Sequence, residues 1–266
     1  MDLGLNGKVA LVTGSYRGTG VGIARVLAAE GATVLVHGHE PGQADPTVAE
    51  ITVAGGLAHL VVGDLRTEAG TEVLVAAVRG AVDRVDIVVN NYGVPEGSDW
   101  DASDTASWHN SYEHNVVSAV RITQAFLPDM RVAGWGRVVF VSTVGATRPG
   151  DTIPEYYAAK GALPSMAVSL AKHLAGTGIT VNCISPGAIA TAEVVERFTE
   201  RARRTGAATD WASVEREVVA AMPNFTGRVP RPDDVGRFVA FVVGEPGWHI
   251  NGAHLRFDGG GAGVVT

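Results

Sequence analysis

Residues 8 to 32 read KVALVTGSYRGTGVGIARVLAAEGA, and the pattern of this stretch decides the fold. The run KVALVT at 8 to 13 is apolar and rich in valine, as expected of a strand covered on both faces. It leads into glycines at 14, 18 and 20 and then into a segment of helical period. Glycine lets the backbone turn tightly and approach a bound pyrophosphate, while free N–H groups and the positive dipole end of the helix attract the anion. Strand, turn and helix follow in the order this chemistry needs, so the stretch predicts a βα unit that opens a nucleotide-binding α/β domain.

Outward from it, short β-branched runs alternate with longer segments of helical period. These runs are TVLVHG at 33 to 38, LAHLVVGD at 57 to 64, DIVVNN at 86 to 91, GRVVFVST at 136 to 143 and GITVNCIS at 178 to 185. A seventh, AHLRFDGG at 253 to 260, follows a helix expected to begin at PDD, 232 to 234, where acidic residues suit a helix N-terminus. The alternation predicts a doubly wound, Rossmann-type parallel sheet of seven strands with helices on both faces, in a single domain over 1 to 266. Residues 192 to 229 interrupt it, starting charged and helical (AEVVERFTERARR) and ending MPNFTGRVPRP. An insertion at this point can act as a lid beyond the carboxyl ends of the strands.

Composition narrows the function. A formal net charge of -7, with no offsetting basic run, excludes nucleic acid as the natural partner. The single cysteine, Cys183, lies in an apolar strand and reads as a buried structural thiol. No stretch reaches the roughly 18 uninterrupted apolar residues of a membrane span, so no membrane partner and a cytoplasmic location are expected. His37 and His39 form a two-ligand fragment without a third ligand nearby, so no metal is expected.

Several motifs carry a resemblance. Thr13, Gly14, Gly18 and Gly20 match T-G-x-x-x-G-x-G, Asp64-Leu65 follows the third strand, and NNYG occupies 90 to 93. Asn115, then Tyr156 with Lys160, then PGAIAT at 186 to 191 follow in order. With these the chain resembles the short-chain dehydrogenase/reductase family over essentially its whole length. The resemblance implies a cofactor site at Gly14, Tyr16, Arg17, Gly18, Thr19 and Gly20, with Asp64 and Leu65 against the adenine. It assigns Asn91, Gly93, Ile189 and Thr191, together with Tyr156 and Lys160, to the rest of the dinucleotide. Where NAD-preferring members carry Asp, this chain has Gly38, while Arg17 and His39 offer positive charge to a 2′-phosphate. NADP(H) is therefore favoured, with NAD(H) as the alternative.

Carbonyl reduction needs a proton donor, a group that orients the carbonyl, and a fixed hydride source. A tyrosine ordinarily titrates near 10, and a nearby ammonium would lower that value. Residues four apart share a helix face, so Tyr156 meets Lys160 whereas Tyr157 meets Gly161. The resemblance makes Tyr156 the general acid, Lys160 its tuner and ribose anchor, and Asn115 the support of a proton relay. The partner hydroxyl is Thr143 by the family's thirteen-residue spacing, with Ser142 as the alternative. Strand alternation keeps the two from facing the site together. Tyr92 replaces the usual small residue, which puts an aromatic ring near the cofactor or the substrate mouth, with core packing as the alternative to substrate contact. Pro164 removes the amide that would bond to the Lys160 carbonyl and should bend its helix.

The resemblance thus implies an NADP(H)-dependent oxidoreductase acting on a ketone or secondary alcohol, similar to 3-oxoacyl-thioester reductases. Hydroxysteroid or sugar and polyol dehydrogenases of the family are alternatives, as is a non-catalytic NADP-binding sensor or scaffold. The family's habits imply a homotetramer, or a dimer, with the glycine-rich end DGGGAGVVT at an interface.

Overall fold

The computed structural model describes residues 1–265; Thr266, last residue of the glycine-rich end, lies outside the described residues. The strands are β1 (Val9–Val12), β2 (Thr33–Gly38), β3 (Leu57–Val62), β4 (Ile87–Asn90), β5 (Gly136–Val141), β6 (Ile179–Pro186) and β7 (His254–Phe257). All are parallel in one sheet of order β3-β2-β1-β4-β5-β6-β7. The chain winds outward from β1 to β3 and then returns to place β4 beside β1. The switch point, where ligands sit in open α/β sheets, is therefore at the carboxyl ends of β1 and β4.

The helices are α1 (Gly18–Ala29), α2 (Asp45–Val53), α3 (Glu68–Ala81), α4 (Thr105–Tyr112), α5 (Ser118–Ala133), α6 (Pro154–His173), α7 (Ala192–Thr205), α8 (Trp211–Ala221) and α9 (Pro232–Val243). Strand alternation divides the core into two layers. Ala10, Val12, Val34, Val36 and Val89 pack on one face with Ile23 and Leu27 of α1 and Val235 and Val239 of α9. Leu11, Leu35, Val88, Val138 and Phe140 pack on the other with Leu74 of α3, Phe126 of α5 and Leu163 of α6. Each fully buried side chain of this size contributes roughly 1.5–3 kcal/mol, so both faces of the central strands stabilise the domain. Cys183 is buried in the second layer, as expected.

Two expectations change. The run that forms β3 is apolar in sequence, yet Leu57 is 64% and Leu60 38% exposed. As an edge strand it has a neighbour on one side only, so apolar composition does not translate into burial. The segment 192 to 229 is also more regular than its sequence suggests. It holds two helices, α7 and α8, with a small core of Phe198, Val214, Val218 and Val229.

Candidate active site

Gly14 and Gly18 hold φ of +64° and +58°, the left-handed region that side-chain-bearing residues rarely adopt. A Cβ on Gly20 would stand 2.6 Å from the Gly14 carbonyl oxygen. The loop therefore presents bare backbone, and no side chain caps the first turn of α1. These features fit a dinucleotide pyrophosphate, which needs close approach and free amides. Beneath the loop, the Gly14 amide donates to Nδ1 of His37 at 2.8 Å, and Nε2 of His37 donates to the Gly63 carbonyl at 2.8 Å. With both ring nitrogens engaged, His37 has no lone pair for a metal. Burial pushes its pKa down to about 4, so the ring is neutral.

His39, Asp64 and Arg66 form a charged cluster beyond β2 and β3. Arg66 grips Asp64 through Nε at 2.9 Å and Nη2 at 2.8 Å, and His39 Nδ1 lies 3.6 Å from the same carboxylate. The Arg66 guanidinium holds the Asp64 carboxyl down at about 2. Burial lowers the pKa of His39, with Asp64 opposing that shift. Arg17 is exposed at the loop tip, its guanidinium 5.3 Å from the Tyr16 ring centre, and Tyr16 meets the His39 ring edge-on. Arg66 was not singled out from sequence; its position two residues past Asp64 is the signal that could have found it.

Of the alternatives for Tyr92, the structure takes core packing. Its ring packs edge-on against His39, with centroids 4.7 Å apart, and is 9% exposed. It therefore belongs to the His39 end of the crevice and not to the substrate mouth. The reason is local: its amide bonds to Thr13 Oγ1 at 3.0 Å, which fixes the backbone against β1 and buries the ring in the sheet layer. Leu65, expected against the adenine, is likewise buried in that core.

A cavity of about 190 Å³ opens at the carboxyl ends of the strands, lined by Thr19, Asn91, Gly93, Ser142, Thr143, Tyr156, Lys160 and Ile189 among others. Asn91 reaches the wall through Nδ2 donating to the Thr13 carbonyl at 2.9 Å. Thr191 is not in this lining; its Cγ2 stands 3.8 Å from the place of a Cβ on Gly18, and its side chain caps α7 by accepting from the Val194 amide. Both candidate hydroxyls border this cavity, against the expectation that strand alternation turns one of them away, because β5 ends at Val141; their hydrogen bonds distinguish them. Ser142 Oγ donates to the Lys160 carbonyl at 2.8 Å, while Thr143 Oγ1 accepts from the Gly145 amide at 3.3 Å and keeps its hydrogen free for another acceptor.

Tyr156 and Lys160 lie one turn apart on α6, as their spacing predicts. Tyr157 packs its ring on Gly145 and is absent from the cavity wall. Lys160 Nζ donates to the Val141 carbonyl at 3.0 Å. Burial pushes its ammonium down to about 8, and burial pushes the Tyr156 phenol up to about 12. The expected lowering of Tyr156 by Lys160 is thus not realised in this arrangement, because desolvation dominates both groups. Gly93 makes room for them, since a Cβ there would collide with Lys160 Nζ and stand 2.7 Å from Asn115 Oδ1.

Asn115 sits in a π-helical turn, Glu113–Val117, between α4 and α5. Its Oδ1 accepts from the Val94 amide at 3.0 Å, and Nδ2 donates to the Ser111 carbonyl at 3.0 Å. The side chain thereby supports the irregular turn and pins the chain beyond β4. Glu155, also missed from sequence, is fully buried beside Tyr156 and accepts from the Ser98 amide at 3.2 Å and from Ser103 Oγ. It ties the segment 94 to 103 to the start of α6.

Residues 8–202 match the short chain dehydrogenase family. The chain is similar to the oxidoreductase YvaG of Bacillus subtilis (strain 168), with 35% identity over 263 residues and 98% of each chain covered. It is also similar to D-beta-hydroxybutyrate dehydrogenase of Cupriavidus necator, 33% identical over 258 residues, covering 96% of this chain and 98% of that one. Among solved structures, L-sorbose reductase from Gluconobacter frateurii, complexed with NADPH and L-sorbose, matches with a TM-score of 0.92 and 28% identity over 100% of both chains.

Proposed function

The chain belongs to the short-chain dehydrogenase family and is an oxidoreductase acting on the CH–OH/C=O pair; on that premise we propose that it is an NADP(H)-dependent ketone reductase. The observation that carries this reading is the convergence of Thr143, Tyr156 and Lys160 on one cavity, at the switch point beside a bare glycine loop. When bound, the nicotinamide supplies the hydride. Tyr156 Oη donates the proton to the substrate oxygen, and a phenol held up at about 12 keeps that proton at neutral pH. Thr143, whose hydroxyl hydrogen is not claimed by a neighbour, orients the carbonyl. Lys160 anchors the nicotinamide ribose, and Asn115 supports the turn through which Lys160 is reprotonated. Gly14, Tyr16, Arg17, Gly18, Thr19 and Gly20 hold the phosphates. His39, Asp64 and the backbone of Leu65 bound the adenosine end, and Asn91, Gly93, Ile189 and Thr191 the nicotinamide end.

NADP(H) is favoured by Gly38 in place of a carboxylate and by the cations Arg17 and Arg66 near His39. The solved relative that carries NADPH supports the same preference. For the substrate, a 3-oxoacyl thioester is the leading class. A sugar or polyol is the second reading, favoured by the full-length similarity to a reductase bound to L-sorbose. No helix among the described residues is long and apolar enough to cross a membrane. A cytoplasmic homotetramer completes the proposal, to be checked by light scattering. The functional test is NADPH oxidation across acyl thioesters, steroids, sugars and diketones, run beside Tyr156→Phe. Turnover in the parent with a loss of about 10²–10⁴-fold in the variant is expected. Tight NADPH binding without turnover on any substrate would instead mark a sensor.

A further inference from the structure

Helix α6 contains Pro164, four residues after Lys160. In a regular helix the amide at position 164 would donate to the Lys160 carbonyl, and proline has none to give. That carbonyl is not left unpaired, because Ser142 Oγ donates to it at 2.8 Å across the gap between β5 and α6. Ser142 is itself held in place, its amide donating to the Ile184 carbonyl of β6 at 2.8 Å. Lys160 Nζ donates in turn to the Val141 carbonyl at 3.0 Å. Lys160 is therefore tied at its backbone to residue 142 and at its side-chain tip to residue 141. It is buried, and none of the ion pairs among the described residues includes it. With no carboxylate to aim it, the ammonium depends on where its own backbone is held.

We propose that Ser142 is a positioning residue, whose hydroxyl replaces the helical hydrogen bond deleted by Pro164 and so fixes Lys160 against the end of β5. The proline and the serine then form a coupled pair. Pro164 releases a carbonyl from the helix ladder, and Ser142 uses it to lock the helix turn that carries Lys160 to the strand that carries Thr143. A local bond within the helix is exchanged for one that sets the register between two walls of the cavity. Ser142 also has its hydroxyl hydrogen committed, which leaves Thr143 to meet the substrate.

This inference rests on the reading of Lys160 as ribose anchor, and the experiment separates the two. Ser142→Ala, Pro164→Ala, the double variant and Thr143→Val are compared with the parent. NADPH affinity is read by fluorescence titration, kcat and KM on the best ketone from the screen, and melting temperature without cofactor. Ser142→Ala should lower kcat and weaken NADPH about tenfold, the scale of one hydrogen bond, with KM for the ketone unchanged. Pro164→Ala alone should resemble the parent. Because the new alanine amide supplies the missing donor to Lys160, the double variant should recover kcat, NADPH affinity and melting temperature. An unchanged Ser142→Ala overturns the proposal. So does a double variant as impaired as Ser142→Ala, and if Thr143→Val is then active, the substrate-facing hydroxyl passes to Ser142. A parent that binds no NADPH overturns the functional reading and the positioning role with it, while the melting temperatures still decide whether residues 142 and 164 are coupled.

Discussion

Acidification should loosen the glycine loop through His37. The ring accepts the Gly14 amide at Nδ1 and donates from Nε2 to the Gly63 carbonyl, so it fits its site only when neutral. Protonation would set an N–H at Nδ1 against the Gly14 N–H. Burial lowers the pKa from 6.5 to about 4 in the folded chain. The unfolded chain binds the proton more readily between those values, so stability rises with pH across that window and is lost as pH falls through it. At about 1.4 kcal/mol for each tenfold change in proton affinity, the gap is worth about 3 kcal/mol. His37→Asn keeps an acceptor and a donor but does not titrate. Urea unfolding followed by tryptophan fluorescence at pH 7 and pH 4 should show the parent losing about 3 kcal/mol more than the variant. Other titrating groups cancel in that difference. Parallel losses in the two proteins would refute the assignment of a neutral, loop-bracing His37. At pH 7, His37→Phe leaves the Gly14 amide buried without an acceptor and should cost about 1–3 kcal/mol, with a matching fall in NADPH affinity. His37→Asn should retain most of that affinity.

Gly93→Ala places a methyl against Lys160 Nζ and Asn115 Oδ1. It should lower stability by about 1–3 kcal/mol and reduce turnover more than NADPH binding, and a variant with parental melting and kcat would disprove the crowding. Arg17→Ala combined with His39→Ala should cut kcat/KM for NADPH about tenfold or more while sparing NADH. Calorimetry with 2′-AMP should show the same loss, whereas an equal fall with 5′-AMP would remove both residues from 2′-phosphate recognition. The raised pKa of Tyr156 separates the two directions of reaction. Alcohol oxidation, which needs the phenolate, should climb through the alkaline range, while ketone reduction holds at neutral pH. A pH–rate profile for oxidation already flat above pH 7 would contradict this.

The order of elements was legible because continuous β-branched apolar runs mark strands buried on both faces, while the segments between them keep the 3.6 period of helices. The glycine loop and the placing of Tyr156 and Lys160 on one cavity wall were legible for a similar reason: both follow from local spacing. Tyr92 was not. Its neighbours in the chain allow either end of the crevice, and its contact with His39 exists only because β2 and β4 flank β1. Glu155 was missed because a carboxylate before a tyrosine gives no sign that the segment 94 to 103 will fold over it.

By itself, then, the sequence determined the doubly wound sheet, the bare glycine loop and which tyrosine shares the cavity wall with Lys160, all consequences of apolar patterning, short-range spacing and backbone freedom. Tertiary structure decided which atoms are already committed. Only when β1, β2 and β3 lie side by side does His37 lock Gly14 to Gly63. Only when α6 packs on β5 does the carbonyl that Pro164 releases find Ser142, leaving Thr143 with the free hydroxyl. The physical reason is that a buried polar group must be paired, and its partner here comes from a segment far away in the chain.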